Sequence, residues 1–98
     1  MKISIIVPVY NEELTLNKVL KQLDELDLGI EKEIIVIDDG STDSTPEILS
    51  SKDLSNIITI TVRKNKGKGH SVRLGIQKAS GNIITIQDAD LEYNPKDL

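Results

Sequence analysis

Ile83-Ile84-Thr85-Ile86-Gln87-Asp88-Ala89-Asp90-Leu91-Glu92 is the stretch whose reading decides the fold. Its first half is apolar and β-branched, the composition of a strand covered on both faces. Its second half is acidic, and the acids come where the strand should end. In extended chain alternate side chains share a face, so Asp88 and Asp90 are expected to point the same way, about 7 Å apart. Two carboxylates so placed repel unless a cation or hydrogen-bond donors stand between them. All-oxygen ligands suit Mg²⁺ or Mn²⁺, and Mg²⁺ is commonly held by one or two carboxylates together with substrate phosphates. Taken alone, the stretch reads equally as a metal-assisted phosphate site and as an acidic turn that binds nothing.

The same pattern, an apolar run closed by polar residues, occurs three times upstream. Ile3 to Val9 is the first run. Asn11 is the expected N-cap of a helix with Glu12 and Glu13 in its first turn. Leu16, Val19, Leu20, Leu23 and Leu26 then recur at helical spacing, and Gly29 closes the helix. Glu33-Ile34-Ile35-Val36-Ile37-Asp38 is the second strand, ending in Asp38-Asp39-Gly40-Ser41. Thr45 as N-cap and Pro46 as first residue predict a helix through Ile48 and Leu49. Ile57 to Val62 is the third strand, followed by the loop Asn65-Lys66-Gly67-Lys68-Gly69. Val72, Ile76 and Ala79 mark one face of a third helix that Gly81 ends. Ile83 to Gln87 is the fourth strand. This alternation predicts an α/β fold, a parallel, doubly wound, Rossmann-like sheet with helices on both faces.

Composition narrows the function. At 98 residues the chain is one domain. It has no Trp and no Phe, so the core must be built from Ile, Leu and Val. A net charge of −4 and a pI near 4.9 argue against a general nucleic-acid binder, which would show a basic face. Without Cys there is no disulfide and no thiolate metal site. No signal-peptide pattern follows Met1-Lys2, and no apolar stretch approaches the roughly 18 residues of a membrane span. The expected location is cytoplasmic. Asn94-Pro95-Lys96-Asp97-Leu98 resembles a helix start, so residues 1–98 read as the first part of a longer protein, truncated at its C-terminal side.

In an open α/β sheet ligands bind beyond the carboxyl ends of the strands, where the strand order reverses. Each strand here is followed by a polar cluster: Pro8-Val9-Tyr10-Asn11-Glu12, Asp38-Asp39-Gly40-Ser41, Arg63-Lys64-Asn65-Lys66-Gly67 and Asp88-Ala89-Asp90. Four clusters on one rim carry more weight than any one of them. Tyr10 is placed to stack on a base or to cover the sheet. Asp38 and Asp39 alternate faces, so one can aim at a ligand while the other accepts N–H groups in the Gly40-Ser41 turn. Lys66 and Lys68 can meet phosphate charge. His70, just inside a helix, suits a cap or surface role. Gly67-Lys68-Gly69 lacks the third glycine of a dinucleotide fingerprint and the end of a P-loop. A receiver domain would place its acid pair after the first strand, where Pro8-Val9-Tyr10 stands.

Ile6-Val7-Pro8-Val9-Tyr10-Asn11-Glu12, Ile37-Asp38-Asp39-Gly40-Ser41-Thr42-Asp43 and the Asp-x-Asp (DXD) motif Asp88-Ala89-Asp90, in this order, resemble the inverting family 2 glycosyltransferases of the GT-A fold. The stretch from Asn65 to Gly81, with Asp88 to Glu92, looks closest to the dolichyl-phosphate or polyprenyl-phosphate mannosyl- and glucosyltransferase branch. The resemblance covers essentially the whole chain. It implies the N-terminal, nucleotide-sugar-binding half of a GT-A domain. Pro8, Tyr10 and Glu12 would line the nucleoside pocket, and Asp39, with Ile37 beside it, would bond the base. Asp88 and Ala89 would contact the nucleotide sugar. Asp90 would ligate Mn²⁺ or Mg²⁺ on the diphosphate, with Glu92 and Asp88 as further carboxylates. The implied donor is a UDP- or GDP-sugar and the implied acceptor a polyprenyl phosphate. The implied setting is the cytoplasmic face of a membrane. The catalytic base would lie in a C-terminal half that this chain lacks. Two other readings stand beside this one. The chain is a nucleotide-binding module without turnover, or it is a structural α/β fragment that self-associates through an uncovered sheet edge.

Overall fold

The computed structural model describes residues 1–51 and 56–89. The elements are β1 (Lys2–Val9), α1 (Leu16–Glu25), β2 (Glu31–Asp39), α2 (Thr45–Ser50), β3 (Ile57–Val62), α3 (Lys68–Lys78) and β4 (Ile83–Ile86). Among the described residues the strands form one sheet in the order β3-β2-β1-β4, every pair parallel. The chain builds outward from β1 to β3, then returns through α3 to lay β4 on the other side of β1. The strand order therefore reverses between β1 and β4. The doubly wound, Rossmann-like α/β architecture expected from the sequence is the one observed.

Two apolar layers follow from strand alternation. Ile5, Val7, Val9, Ile34 and Val36 meet Leu16, Val19, Leu20 and Leu23 of α1 and Leu49 of α2 on one face. Ile6, Ile35 and Ile37 meet Leu74 and Ala79 on the other. Both faces of β1 and β2 are thus covered, which is why their runs are apolar nearly throughout.

Helix α3 comes close to the sheet through a glycine. A Cβ on Gly75 would lie 2.6 Å from Ile6 Cγ2 and 3.0 Å from Ile37 Cδ1. This approach corrects the expected face at Val72 and Ile76, while Ala79 packs on the core as expected. Ser71 and Gly75 are the buried residues of α3, and Ile76 is exposed. Ser71 and Gly75, with Leu74 beside them, turn to the sheet, and the two small residues admit the close approach. Helix α3 packs over β1 and β2. Strand β4 is at the sheet edge, and its Ile83, Ile84 and Ile86 are exposed, so the expectation that it is buried does not hold among the described residues.

The helix starts also differ from the sequence expectation. Helix α1 begins at Leu16 with Thr15 as N-cap, four residues beyond Asn11. Asn11 has a left-handed backbone (φ 53°), which asparagine tolerates. Its Oδ1 accepts the N–H groups of Thr42 and Asp43 across the rim. The helix ends at Glu25, and the Lys32 ammonium donates to the carbonyls of Asp24 and Leu26. Gly29 lies in the following turn, not at the helix end. The N-cap of α2 is Ser44; Thr45 is buried, and its hydroxyl accepts the Glu12 N–H.

Candidate functional site

A cleft of about 430 Å³ opens at the carboxyl ends of the strands, where the strand order reverses. Each wall comes from a different connection. The end of β1 contributes Pro8, Val9, Tyr10 and Glu12. The end of β2 contributes Asp39. The loop into α3 and its first turn contribute Asn65, Gly67, Lys68 and Ser71, and the segment after β4 contributes Asp88 and Ala89.

The two aspartates ending β2 divide their work as alternation requires. Asp38 Oδ1 accepts the Ser41 N–H at 3.1 Å, closing the turn. Its Oδ2 is buried with no partner among the described residues. Asp39, on the face toward α3, accepts the Lys66 N–H on Oδ1 (2.9 Å) and the Gly67 N–H on Oδ2 (2.8 Å). The Asn65 side chain donates to the Asp39 carbonyl. At Gly40 the loops after β2 and β3 meet backbone to backbone. Gly40 has φ +73°, and a Cβ there would collide with Lys64 and Asn65. Asp39 therefore fixes the loop that delivers the N-terminus of α3 to the cleft.

The other walls are tied as firmly. The Thr15 hydroxyl donates to the Ala89 carbonyl at 2.8 Å, joining the start of α1 to the segment after β4. Asp43 accepts the N–H groups of Glu13 and Thr45. Its carboxyl sits below the ordinary range, because the hydrogen bonds from Thr45 and Glu13 outweigh the opposing effect of burial. At the far side Asp88 Oδ1 is 2.5 Å from the Lys68 ammonium, their side chains 38% and 59% exposed. Among the described residues three carboxylates, Glu12, Asp39 and Asp88, thus border the cleft against one ammonium, Lys68.

The structure brings six of the expected residues together, namely Pro8, Tyr10, Glu12, Asp39, Asp88 and Ala89. Two others stand elsewhere. Ile37 is fully buried in the core beneath α3, two residues deeper than Asp39 on the same strand face, and the close approach at Gly75 covers it. Lys66 turns its N–H to Asp39 while its side chain is exposed and does not line the cleft; Lys68 does. Asp90 and Glu92, with the helix start at Asn94-Pro95, lie outside the described residues. Among the described residues no three His, Cys, Asp or Glu side chains cluster as a metal site. Sequence reasoning missed Ser71, whose hydroxyl is buried without a partner at the cleft floor. Its one signal is a small polar residue one turn inside a helix that follows a Gly-rich loop.

Among the described residues no helix is long and apolar enough to cross a membrane. The family model for glycosyl transferase family 2 matches residues 4–98. The dolichol-phosphate mannosyltransferase of Pyrococcus furiosus is 39% identical over 99 residues, 98% of this chain and 28% of that protein. The structure of S. aureus TarS 1-349 in complex with UDP-GlcNAc is similar with a TM-score of 0.80 at 31% identity, covering 92% of this chain and 27% of that one. The mannosyltransferase PcManGT from Pyrobaculum calidifontis, in complex with GDP-Man and Mn²⁺, gives a TM-score of 0.78 at 30% identity over 90% and 27% of the two chains. The chain spans less than a third of the length of the curated relatives it matches. With 95 of its residues under the family model and a relative this similar over its whole length, the chain belongs to glycosyl transferase family 2.

Proposed function

We propose that this chain is the donor-binding part of a glycosyltransferase that moves a sugar from a UDP- or GDP-sugar to a polyprenyl phosphate at the cytoplasmic face of a membrane. The observation that carries the reading is the cleft at the strand-order reversal, which Asp39 from β2 and the Asp88-Ala89 segment after β4 both line. The similar proteins support it: one is a dolichol-phosphate transferase, and two bind a nucleotide sugar.

Each residue then has a task. Tyr10, 46% exposed at the rim, stacks on the base, with Pro8 and Glu12 shaping the nucleoside pocket. Each Asp39 oxygen accepts one backbone N–H and keeps a lone pair for a base N–H. Asp88 and Ala89 meet the diphosphate and sugar. The Asp88 carboxylate is an oxygen donor of the kind a hard divalent cation takes, and it stands half-exposed at the cleft. Asp88, Asp90 and Glu92 would hold Mn²⁺ or Mg²⁺, which supplies charge neutralisation for the leaving nucleoside diphosphate.

Calorimetric titration of the chain with UDP and GDP, each with Mn²⁺ and with EDTA, tests this. Metal-dependent binding of one nucleotide is expected, and Asp90→Asn should weaken it. Binding of neither nucleotide by a folded chain would overturn the donor reading. A nucleotide-binding module without turnover is the second reading, favoured by the engagement of Asp39 with the Lys66 and Gly67 N–H groups and of Asp88 with Lys68, which suits holding a ligand more than moving a proton. Intact nucleotide binding without donor hydrolysis or sugar transfer would select it. The exposed apolar residues of β4 favour self-association through that edge as a separate property. A concentration-dependent dimer that Ile84→Lys dissolves would support it; a monomer throughout would rule it out.

A further inference from the structure

We infer that Lys68 is a resident counter-cation with two seats, one on Asp88 while the cleft is empty of metal and one on the ligand's diphosphate once a divalent cation takes Asp88. The inference rests on the donor-binding reading and concerns how metal and nucleotide are coupled. Lys68 is the first residue of α3 and Asp88 follows β4, so the ion pair joins the two walls that meet at the cleft. Lys68 is the sole ammonium bordering the cleft among the described residues, set against Glu12, Asp39 and Asp88. Its seat on Asp88 is the place a divalent cation needs, and the two positive charges cannot share one carboxylate without mutual repulsion.

The second seat is already formed at the start of α3. Its N-cap is Gly67 at φ +97°, which makes no side-chain cap bond to the first turn, while Asp39 takes the N–H groups of Lys66 and Gly67 just before it. The first-turn N–H groups are therefore free of side-chain acceptors, and they carry the positive end of the helix dipole. The Ser71 hydroxyl is fully buried, unpartnered and part of the cleft lining one turn further in. A phosphate oxygen at this end of α3 would meet N–H groups, a hydroxyl and the released ammonium together. Lys68 gives up Asp88 at little cost, because a half-exposed ion pair is weak. The coupling is reciprocal: whatever metal gains from the diphosphate, the diphosphate gains from metal.

The test is Mn²⁺ titration of the whole chain, followed by electron paramagnetic resonance, first without nucleotide and then with UDP or GDP. Lys68→Gln should bind Mn²⁺ alone about two- to fivefold more tightly, the scale of an exposed ion pair removed. It should also lose most of the tightening that nucleoside diphosphate gives the wild type. Lys68→Arg, which keeps the charge, should behave as wild type, and the gain from Lys68→Gln should vanish in an Asp88→Asn background. Unchanged or weaker Mn²⁺ affinity in folded Lys68→Gln overturns the inference, as does a metal–nucleotide coupling that this variant leaves intact. Failure of UDP and GDP to bind the wild type would sink the donor reading and leave the metal-alone titration to judge the Lys68–Asp88 exchange.

Discussion

Strand β2 carries two buried carboxylates on one face, Glu33 near its start and Asp39 at its end, and the two grip opposite ends of α3. Glu33 Oε2 accepts the N–H and hydroxyl of Ser80, just past the helix, and the Ser4 hydroxyl; the Lys2 ammonium stands 3.5 Å from Oε1. Asp39 accepts the N–H groups of Lys66 and Gly67, just before the helix. The bottom acid has its countercharge in the chain and does not line the cleft. Among the described residues the top acid has backbone donors only and opens on a cleft with more carboxylates than cations. A fully satisfied buried acid holds a fold together. An acid left short of positive charge beside an open cleft holds a loop and awaits a ligand.

The strongest way to break this comparison is to remove the bottom acid. Glu33→Ala strands the hydroxyls of Ser4 and Ser80 and the Ser80 N–H, and should cost about 3 kcal/mol of stability in urea unfolding. Nucleotide affinity of the folded fraction should not change. A fall in affinity alongside the lost stability would mean that the two ends of β2 are not separate in function. Acidification probes the same group. Burial alone would raise the Glu33 carboxyl, but the bonds from Ser4 and Ser80 and the charge of Lys2 bring it from 4.5 down to about 2. A depressed carboxyl stabilises above its unfolded value and loses that contribution as pH falls through the folded value. The chain should therefore lose on the order of 2 kcal/mol between about pH 4.5 and pH 2 through this group, and Glu33→Gln should flatten that part of the profile.

Asp39→Asn sharpens the other side. The amide keeps one acceptor oxygen for Lys66 or Gly67 and loses the other. Nucleotide affinity should fall about tenfold, close to 1.4 kcal/mol, with a stability loss of about 1 kcal/mol. If stability fell as it does in Glu33→Ala and affinity held, Asp39 would be a second Glu33 and the base-reading role would go.

What the sequence disclosed tracks how local the physics is. The runs Ile3 to Val9, apolar but for Ser4, and Ile34 to Ile37 announce strands covered on both faces, and the turns after them put the polar clusters on one rim. Burial and alternation are properties of neighbours in sequence, so they read directly. The capping residues misled because their side chains work at a distance. Asn11 bonds Thr42 and Asp43, and the Thr45 hydroxyl takes the Glu12 N–H, so neither expected cap serves its own helix. Ile37 and Lys66 stood next to cleft residues in sequence, yet the closeness of α3 at Gly75 and the turn of the loop toward Asp39 set them outside it. Ser71 and the Lys68–Asp88 pair depend on two connections meeting in space, and no window of sequence holds both.

The smallest effect is also the most direct test of the charge imbalance. With Glu12, Asp39 and Asp88 set against Lys68 alone among the described residues, a divalent cation should stabilise the folded chain by mass action even without nucleotide. At a Mn²⁺ concentration near its dissociation constant the gain is about 0.4 kcal/mol, which for a chain of this length raises the melting temperature by about 2–3 °C over EDTA. Asp88→Asn should abolish the shift, and Glu33→Gln should preserve it on a lower baseline. Equal melting in Mn²⁺ and EDTA would mean that the top acids are neutralised within the chain, as Glu33 is. The contrast between the two ends of β2 would then be one of exposure and not of function.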